Sequence, residues 1–129
     1  VGIDAHCRGL APFVKAALDS PIRATAREQR FVAAIAAWAA GDTARCATLL
    51  QEQVREHPRD LAALKLAQYH LFNAGDSTAM LRLALHALPA ASEVAYLHGM
   101  AAFAWEQCHF LAEAEAARER LQSALARLS

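Results

Sequence analysis

Apolar residues recur every three or four positions along most of this chain, which is the spacing of helices that bury one face. The spacing is interrupted where helix-ending residues occur together, at Gly41-Asp42, at His57 to Asp60 and at Gly75-Asp76. The interval from Gly41 to Gly75 is 75 − 41 = 34, and a period in the thirties is typical of arrays of paired helices. The pattern therefore predicts a helical-repeat protein of the all-α class.

Capping residues predict where individual helices begin. Thr25 and Glu28 form a capping box of the Thr-x-x-Glu kind, and Asp42 and Asp60 are suitable N-caps for the next two helices. Pro58 separates those two helices, because a proline in a helix interior removes a hydrogen bond. The helix from residue 61 to residue 74 is apolar on most of its circumference, so we expect neighbours to bury it on both flanks.

The second half of the chain continues the array, with helices predicted from Asp76 or Ser77 to Pro89, over 94–107 and over 110–128. The turn between the last two helices lacks Gly and Pro. It is predicted at Cys108-His109, because His109 follows Gly75 by the same interval by which Gly75 follows Gly41 (109 − 75 = 75 − 41). The final helix is expected to bury an apolar stripe and leave one polar face outside, as a terminal capping helix requires; the stripe is Phe110, Ala114, Ala117, Leu121, Leu125 and Leu128. Residues 1–24 are predicted to form an N-terminal helical segment, which Pro12 kinks or divides.

Composition narrows the function classes. The 129 residues fit one domain, and the 13 basic and 13 acidic residues cancel, so no global charge favours nucleic acid or a membrane surface. No uncharged stretch approaches the roughly 20 residues that cross a bilayer. Three widely spaced cysteines predict reduced thiols in the cytoplasm rather than a disulfide framework. The sequence has no recognisable secretory leader, and its start at Val1 indicates a processed or cropped chain.

Several short motifs resemble one family of helical-repeat proteins. The sequence is similar to tetratricopeptide repeats (TPRs), which are helix pairs of constant period with Gly-Asp inside the repeat and Pro between repeats. This similarity places the repeats at residues 27–60, 61–94 and 95–128. The most specific runs resemble the family of tetratricopeptide repeat protein 38 and its bacterial relatives: Arg27-Glu28-Gln29, Ala40-Gly41-Asp42, His57 to Leu61, Ala63 to Ala67 and Gly99 to Phe103. The resemblance implies a TPR-like α-α superhelix of about three helix pairs. Members are generally longer, so it also implies a truncated relative or a fragment, and it implies no established reaction.

In TPR arrays the first helix of each pair lines a concave groove in which peptides commonly dock. The resemblance places aromatic and polar residues at such positions, and these form the candidate groove for a protein or peptide partner: Phe31, Trp38, Lys65, Tyr69, Phe72, Asn73, Tyr96, Phe103 and Glu106. Aromatic anchors beside a few polar groups suit such a groove. Two alternatives remain open: the same aromatics form the core, or the N-terminal segment or a second copy of the chain covers them, as in a homodimer.

Candidate chemistry is sparse. The six histidines show no His-x-x-x-His spacing and the three cysteines form no Cys-x-x-Cys motif, so no metal site is predicted. The sequence contains no phosphate-binding glycine loop and no nucleophile elbow. Cys108, near a turn, and Lys65 are the residues that an enzyme would use. We therefore expect a non-catalytic interaction module without a cofactor; the alternatives are a homo-oligomerisation unit and, after it, a small-molecule-binding protein or enzyme.

Overall fold

The computed structural model describes residues 25–128 together with Pro12, Lys15, Ala16 and Asp19. Within 25–128 the chain is helical and has no strand, so the predicted all-α class is confirmed for this part. Its helices are α1 (Ala26–Ala39), α2 (Thr43–Glu56), α3 (Leu61–Asn73), α4 (Ser77–Ala87), a 3-10 turn (Leu88–Ala90), α5 (Ala95–Gln107) and α6 (Leu111–Ala126). The predicted N-terminal helical segment falls on residues 1–24, most of which lie outside the described part.

Helices that follow one another in the chain pack together. α1 packs on α2, α2 on α3 and α5 on α6, while α4 contacts α2, α3 and α5. Alanine fills much of the core between them, because a methyl side chain lets helix backbones approach closely. The fully buried alanines include Ala34, Ala63, Ala67, Ala84, Ala87 and Ala104. Leu50, Leu64 and Leu97 are the largest side chains with no exposed surface.

Three helix ends repeat one backbone geometry at equal intervals along the chain. Gly41, Gly75 and His109 have φ angles of 86°, 75° and 64°. The residue after each one donates its N–H to the carbonyl five residues earlier, which is the Schellman arrangement; the donor and acceptor pairs are Asp42 and Ala37, Asp76 and Leu71, and Phe110 and Trp105, at 2.8, 2.9 and 2.9 Å. The predicted turn at Cys108-His109 is confirmed, although a non-glycine residue there adopts the left-handed conformation at some cost.

Side-chain caps begin the first four helices as predicted. The Thr25 hydroxyl accepts a hydrogen bond of 3.1 Å from the N–H of Glu28. Asp42, Asp60 and Asp76 each accept one of 3.1 Å from the backbone N–H three residues later. α5 and α6 begin without a side-chain cap. Since caps act within a single turn, local sequence was sufficient to place these helix starts.

A polar cluster joins α1, α2 and the start of α3. We call it the Asp60 cluster, and its members are Arg27, Arg30, Gln53, Glu56 and Asp60. Asp60 Oδ2 lies 2.9 Å from Arg27 Nη2 and accepts a hydrogen bond of 3.1 Å from Gln53 Nε2. Arg30 donates to Gln53 Oε1 at 3.2 Å and to both carboxylate oxygens of Glu56 at 3.0 Å. Gln53 is fully buried and Asp60 is 8% exposed, so the cluster satisfies polar groups that the packing removes from water.

Two opposing effects act on the pKa of the Asp60 carboxyl. Burial raises this pKa, but the hydrogen bonds from the Ala63 N–H, from Gln53 and from Arg27, together with the Arg27 charge, lower it by more. The pKa therefore lies below the ordinary value of 3.8, and the ionised carboxylate is the form that the fold stabilises.

Six of the contacts between successive helix pairs share a sequence offset of 31, although others, such as the one between Arg27 and Asp60, have a different offset. The paired groups are the Trp38 and Tyr69 rings, Arg55 O and His86 Nε2, Arg59 Nη1 and Ala90 O, Lys65 Nζ and the Tyr96 ring, the Phe72 and Phe103 rings, and Ser77 O and Cys108 Sγ. One set of contacts thus recurs between successive helix pairs in the described part of the chain.

The stripe predicted for the final helix is only partly buried. Ala114, Ala117 and Ala124 are the buried residues of α6. The expectation that Phe110, Leu125 and Leu128 face the core is wrong, since these side chains are 49%, 49% and 76% exposed. α6 packs on α5 through its buried alanines. Because α6 has 16 residues and α5 has 13, α5 cannot cover the whole length of α6.

Candidate partner-binding groove

An apolar groove of about 500 Å³ lies between α3 and α5. α3 and α5 each contribute four lining residues, α4 and α6 one each: Lys65, Gln68, Tyr69, Phe72, Met80, Tyr96, Gly99, Met100, Phe103 and Leu121. We call this concavity the α3–α5 groove. It is the candidate site that the described residues form around the predicted aromatics.

The two walls of the groove have the same helical spacing. On α3, Gln68, Tyr69 and Phe72 follow Lys65 by three, four and seven residues, and the α5 wall follows Tyr96 in the same way. Residues at this spacing lie on one helix face. The opposite face of α3 enters the core through Ala63, Leu64, Ala67 and Leu71. α2 and α4 pack on α3, as expected for a helix with neighbours on both flanks, while the face that carries Phe72 borders the open groove.

Aromatic side chains dominate the exposed surface of the groove. Phe72, Tyr96 and Phe103 are 49%, 51% and 41% exposed. The Phe72 and Phe103 rings lie 5.4 Å apart between centroids, at one end of the groove. At the other end, Lys65 Nζ lies 5.9 Å above the centre of the Tyr96 ring, within the range of a cation–π contact. The groove thus has one purely apolar end and one end that carries a positive charge.

A buried amide lies in the wall of the groove. Gln68 is 7% exposed, and its Nε2 donates a hydrogen bond of 2.9 Å to the Met80 carbonyl. This bond fixes the orientation of the amide, because a flipped amide would set two oxygens against each other. Gln68 Oε1 then has no hydrogen-bond partner. The amide therefore retains one acceptor that the described residues do not satisfy.

The structure brings together five of the nine predicted groove residues. Lys65, Tyr69, Phe72, Tyr96 and Phe103 all line the α3–α5 groove. Whether they bind a partner remains a prediction.

The other four predicted residues lie elsewhere. The prediction that Trp38 lines an open groove is wrong, because Trp38 is 2% exposed and its ring packs edge-on against His70 with centroids 4.3 Å apart. Phe31 is half-buried and lines a separate depression of about 330 Å³ beside Asp60. Asn73 is exposed at the end of α3, outside the groove lining. Glu106 is half-buried and forms an ion pair with Arg118.

Sequence reasoning missed five groove residues, for two different reasons. Gln68, Gly99 and Met100 follow predicted wall residues by three or four positions, so helical spacing could have found them. Met80 and Leu121 come from α4 and α6, and only the tertiary packing brings them to the groove.

Groups that could support other chemistry are engaged in structural contacts. Cys46 is buried, and half-buried Cys108 donates its thiol hydrogen to the Ser77 carbonyl at 3.3 Å. His86 Nε2 lies 3.1 Å from the Arg55 carbonyl in the last turn of α2. Among the residues that the structure describes, no three His, Cys, Asp or Glu side chains lie together as metal ligands would, and no helix has both the length and the hydropathy to cross a bilayer.

Comparison with known proteins identifies no similar protein. The chain has no significant match to any protein-family model, to any curated protein or to any solved structure.

Proposed function

We propose that this chain is a non-catalytic interaction module, in which TPR-like helix pairs stack in a superhelix and present the α3–α5 groove to a protein or peptide partner. The observation that carries the proposal is the group of three aromatics, Phe72, Tyr96 and Phe103, that line one groove and remain 41–51% exposed. Exposed apolar groups that cluster around a concavity are typical of interaction and ligand sites.

Two periodicities support the TPR-like stacking. The left-handed turn residues Gly41, Gly75 and His109 recur at equal intervals, and contacts between successive pairs recur at an offset of 31. Both are expected when equal helix pairs stack with a constant relative position. In such a stack the first helices α1, α3 and α5 lie side by side, and the groove between α3 and α5 belongs to their common face.

The chemistry of the groove favours binding over catalysis. Among its described lining residues Lys65 is the one with a formal charge at neutral pH, and the remaining polar groups are an amide and two phenols. General acid–base catalysis needs a positioned donor and acceptor with suitable pKa values. The lining offers instead large aromatic surfaces with a few orienting polar groups, which is the composition of binding hot spots.

A peptide-display selection against the purified chain tests the proposal. Selected peptides are expected to bind the wild-type protein, and Phe72→Ala is expected to weaken binding by about tenfold or more, since truncation of an aromatic hot spot typically costs this much. Binding is measured by fluorescence polarisation with labelled peptides. A selection that yields no specific peptide contradicts the proposed function.

Phe110→Ala is the matched control for this experiment. Phe110 is 49% exposed, the same fraction as Phe72, and its ring also packs on one aromatic ring among the described residues, that of Trp105, at 5.3 Å between centroids. It lies outside the groove lining. Phe110→Ala should therefore leave peptide affinity unchanged, and equal losses in the two variants would show that the groove is not the binding site.

Homo-oligomerisation is the second candidate function, and the outer surface of α6 favours it. Leu111, Leu125 and Leu128 are 66%, 49% and 76% exposed, and a second copy could cover them. This function predicts a dimer mass in light scattering and a melting temperature that rises with protein concentration. Leu125→Glu with Leu128→Glu should then yield a monomer, whereas a monomeric wild-type protein at all concentrations would contradict it.

A further inference from the structure

We infer, resting on the proposed interaction function, that the occupant of the α3–α5 groove is a peptide in the polyproline II conformation, in which an acidic side chain precedes or follows a bulky apolar one by about three residues. The acidic side chain pairs with Lys65, and the apolar one lies between Phe72 and Phe103. The inference depends on the charge of the groove and on the distance between its ends.

Lys65 supplies the positive charge of the groove. Its side chain is exposed, its ammonium lies 5.9 Å above the Tyr96 ring, and it takes part in none of the ion pairs between described residues. Glu106, a carboxylate on α5, is already paired with Arg118. The groove therefore presents a positive charge that an anionic group on the partner would complement, and charge complementarity of this kind determines specificity.

The two ends of the groove are marked by contacts of equal sequence offset. Lys65 meets Tyr96 and Phe72 meets Phe103, and both contacts share the same sequence offset. The two ends of the groove are therefore separated by seven residues on each helix, or about 10.5 Å at 1.5 Å per residue. A polyproline II peptide advances about 9 Å in three residues, and because three residues make one turn, side chains three positions apart point to the same side. A carboxylate at one end and an apolar anchor at the other thus require a spacing of about three residues.

Capped synthetic peptides test this inference by fluorescence polarisation. Acetylated and amidated peptides of the form Glu-x-x-Phe carry their one carboxylate on a side chain, which excludes recognition of a free C-terminus. The wild-type protein is expected to bind them about tenfold more tightly than Lys-x-x-Phe peptides at low salt. The preference should shrink at high ionic strength, because salt screens the Lys65 interaction.

Charge reversal at Lys65 supplies the decisive variant. Lys65→Glu should reverse the preference so that the Lys-x-x-Phe peptide binds more tightly, and Lys65→Met should abolish the preference while it retains the aliphatic stem. Arg82→Glu is the control, because Arg82 is an exposed arginine of α4 outside the groove lining. It changes the net charge equally and should leave the preference intact.

The possible results separate this inference from the proposed function. If wild type binds both peptides equally, or if Lys65→Glu and Arg82→Glu have the same effect, the acidic-peptide inference is overturned while peptide binding stands. If Glu-Phe peptides without the two intervening residues bind as tightly, the spacing is overturned. If no apolar peptide of either charge binds, and display selection also fails, the proposed function falls together with the inference.

Discussion

Replacing Asp60 with alanine is expected to lower the free energy of unfolding by about 2–4 kcal/mol, against about 1 kcal/mol for the same change at Asp42 or Asp76. All three aspartates cap a helix through a hydrogen bond of 3.1 Å, so each variant loses a cap. Asp60 also accepts a hydrogen bond from fully buried Gln53. Its removal leaves a buried amide donor unpaired, which costs about 1–3 kcal/mol in addition.

Urea denaturation followed by circular dichroism measures this difference. The three Asp→Ala variants should unfold with similar m values, since each is expected to expose the same surface on unfolding. Asp60→Asn serves as a further comparison, because an asparagine oxygen can keep the cap on the Ala63 N–H while an NH2 group replaces the oxygen that accepts from Gln53 and pairs with Arg27. If Asp60→Ala is no more destabilising than Asp42→Ala, the Asp60 cluster does not stabilise the packing of α1, α2 and α3 in the way described.

The same variants predict a dependence on pH. The pKa of Asp60 is lower in the folded protein than its ordinary value of 3.8, so near that pH the unfolded state binds more protons than the folded state. The stabilisation by its charge is fully present above about pH 5 and is lost as the pH falls through the folded pKa. The stability difference between wild type and Asp60→Asn should therefore be constant from pH 7 to about pH 5 and shrink below pH 4. A difference that stays constant down to pH 2 would refute the assignment.

Further predictions concern the core and the turns, and thermal unfolding measures each of them. Trp38→Ala should cost about 3–5 kcal/mol, because it opens a cavity in the core, whereas Phe72→Ala should cost about 1 kcal/mol or less, because half of Phe72 is exposed. His109→Gly should stabilise the protein by up to about 1 kcal/mol, since glycine adopts positive φ without the steric penalty. Gly75→Ala should destabilise it by about 1 kcal/mol through backbone strain alone, because nothing lies within 4 Å of an added Cβ.

The local parts of the fold were predictable because they depend on residues close in sequence. A cap at Asp42 or Asp76 and a left-handed Gly75 act within one helical turn, so the sequence was sufficient to place them. His109 has no such local signal, and only the period of the repeat located its turn. The exposure of Leu125 and Leu128 could not be read in this way, since it depends on how far α5 extends beside α6.

The groove was harder to predict because equivalent positions in the repeat have different surroundings. Trp38, Phe72 and Glu106 are equally spaced in the sequence (72 − 38 = 106 − 72), and each lies three residues before its turn residue. Trp38 is covered by Tyr69 and His70 of α3, whereas Phe72 meets one aromatic ring of α5 and stays half exposed. Both are aromatic side chains on the same face of the repeat, so helical periodicity treats them alike. What distinguishes them is how completely a neighbouring helix covers each one: α3 covers Trp38, whereas α5 leaves half of Phe72 exposed. That difference depends on side chains of α3 and α5, which lie far away in the sequence.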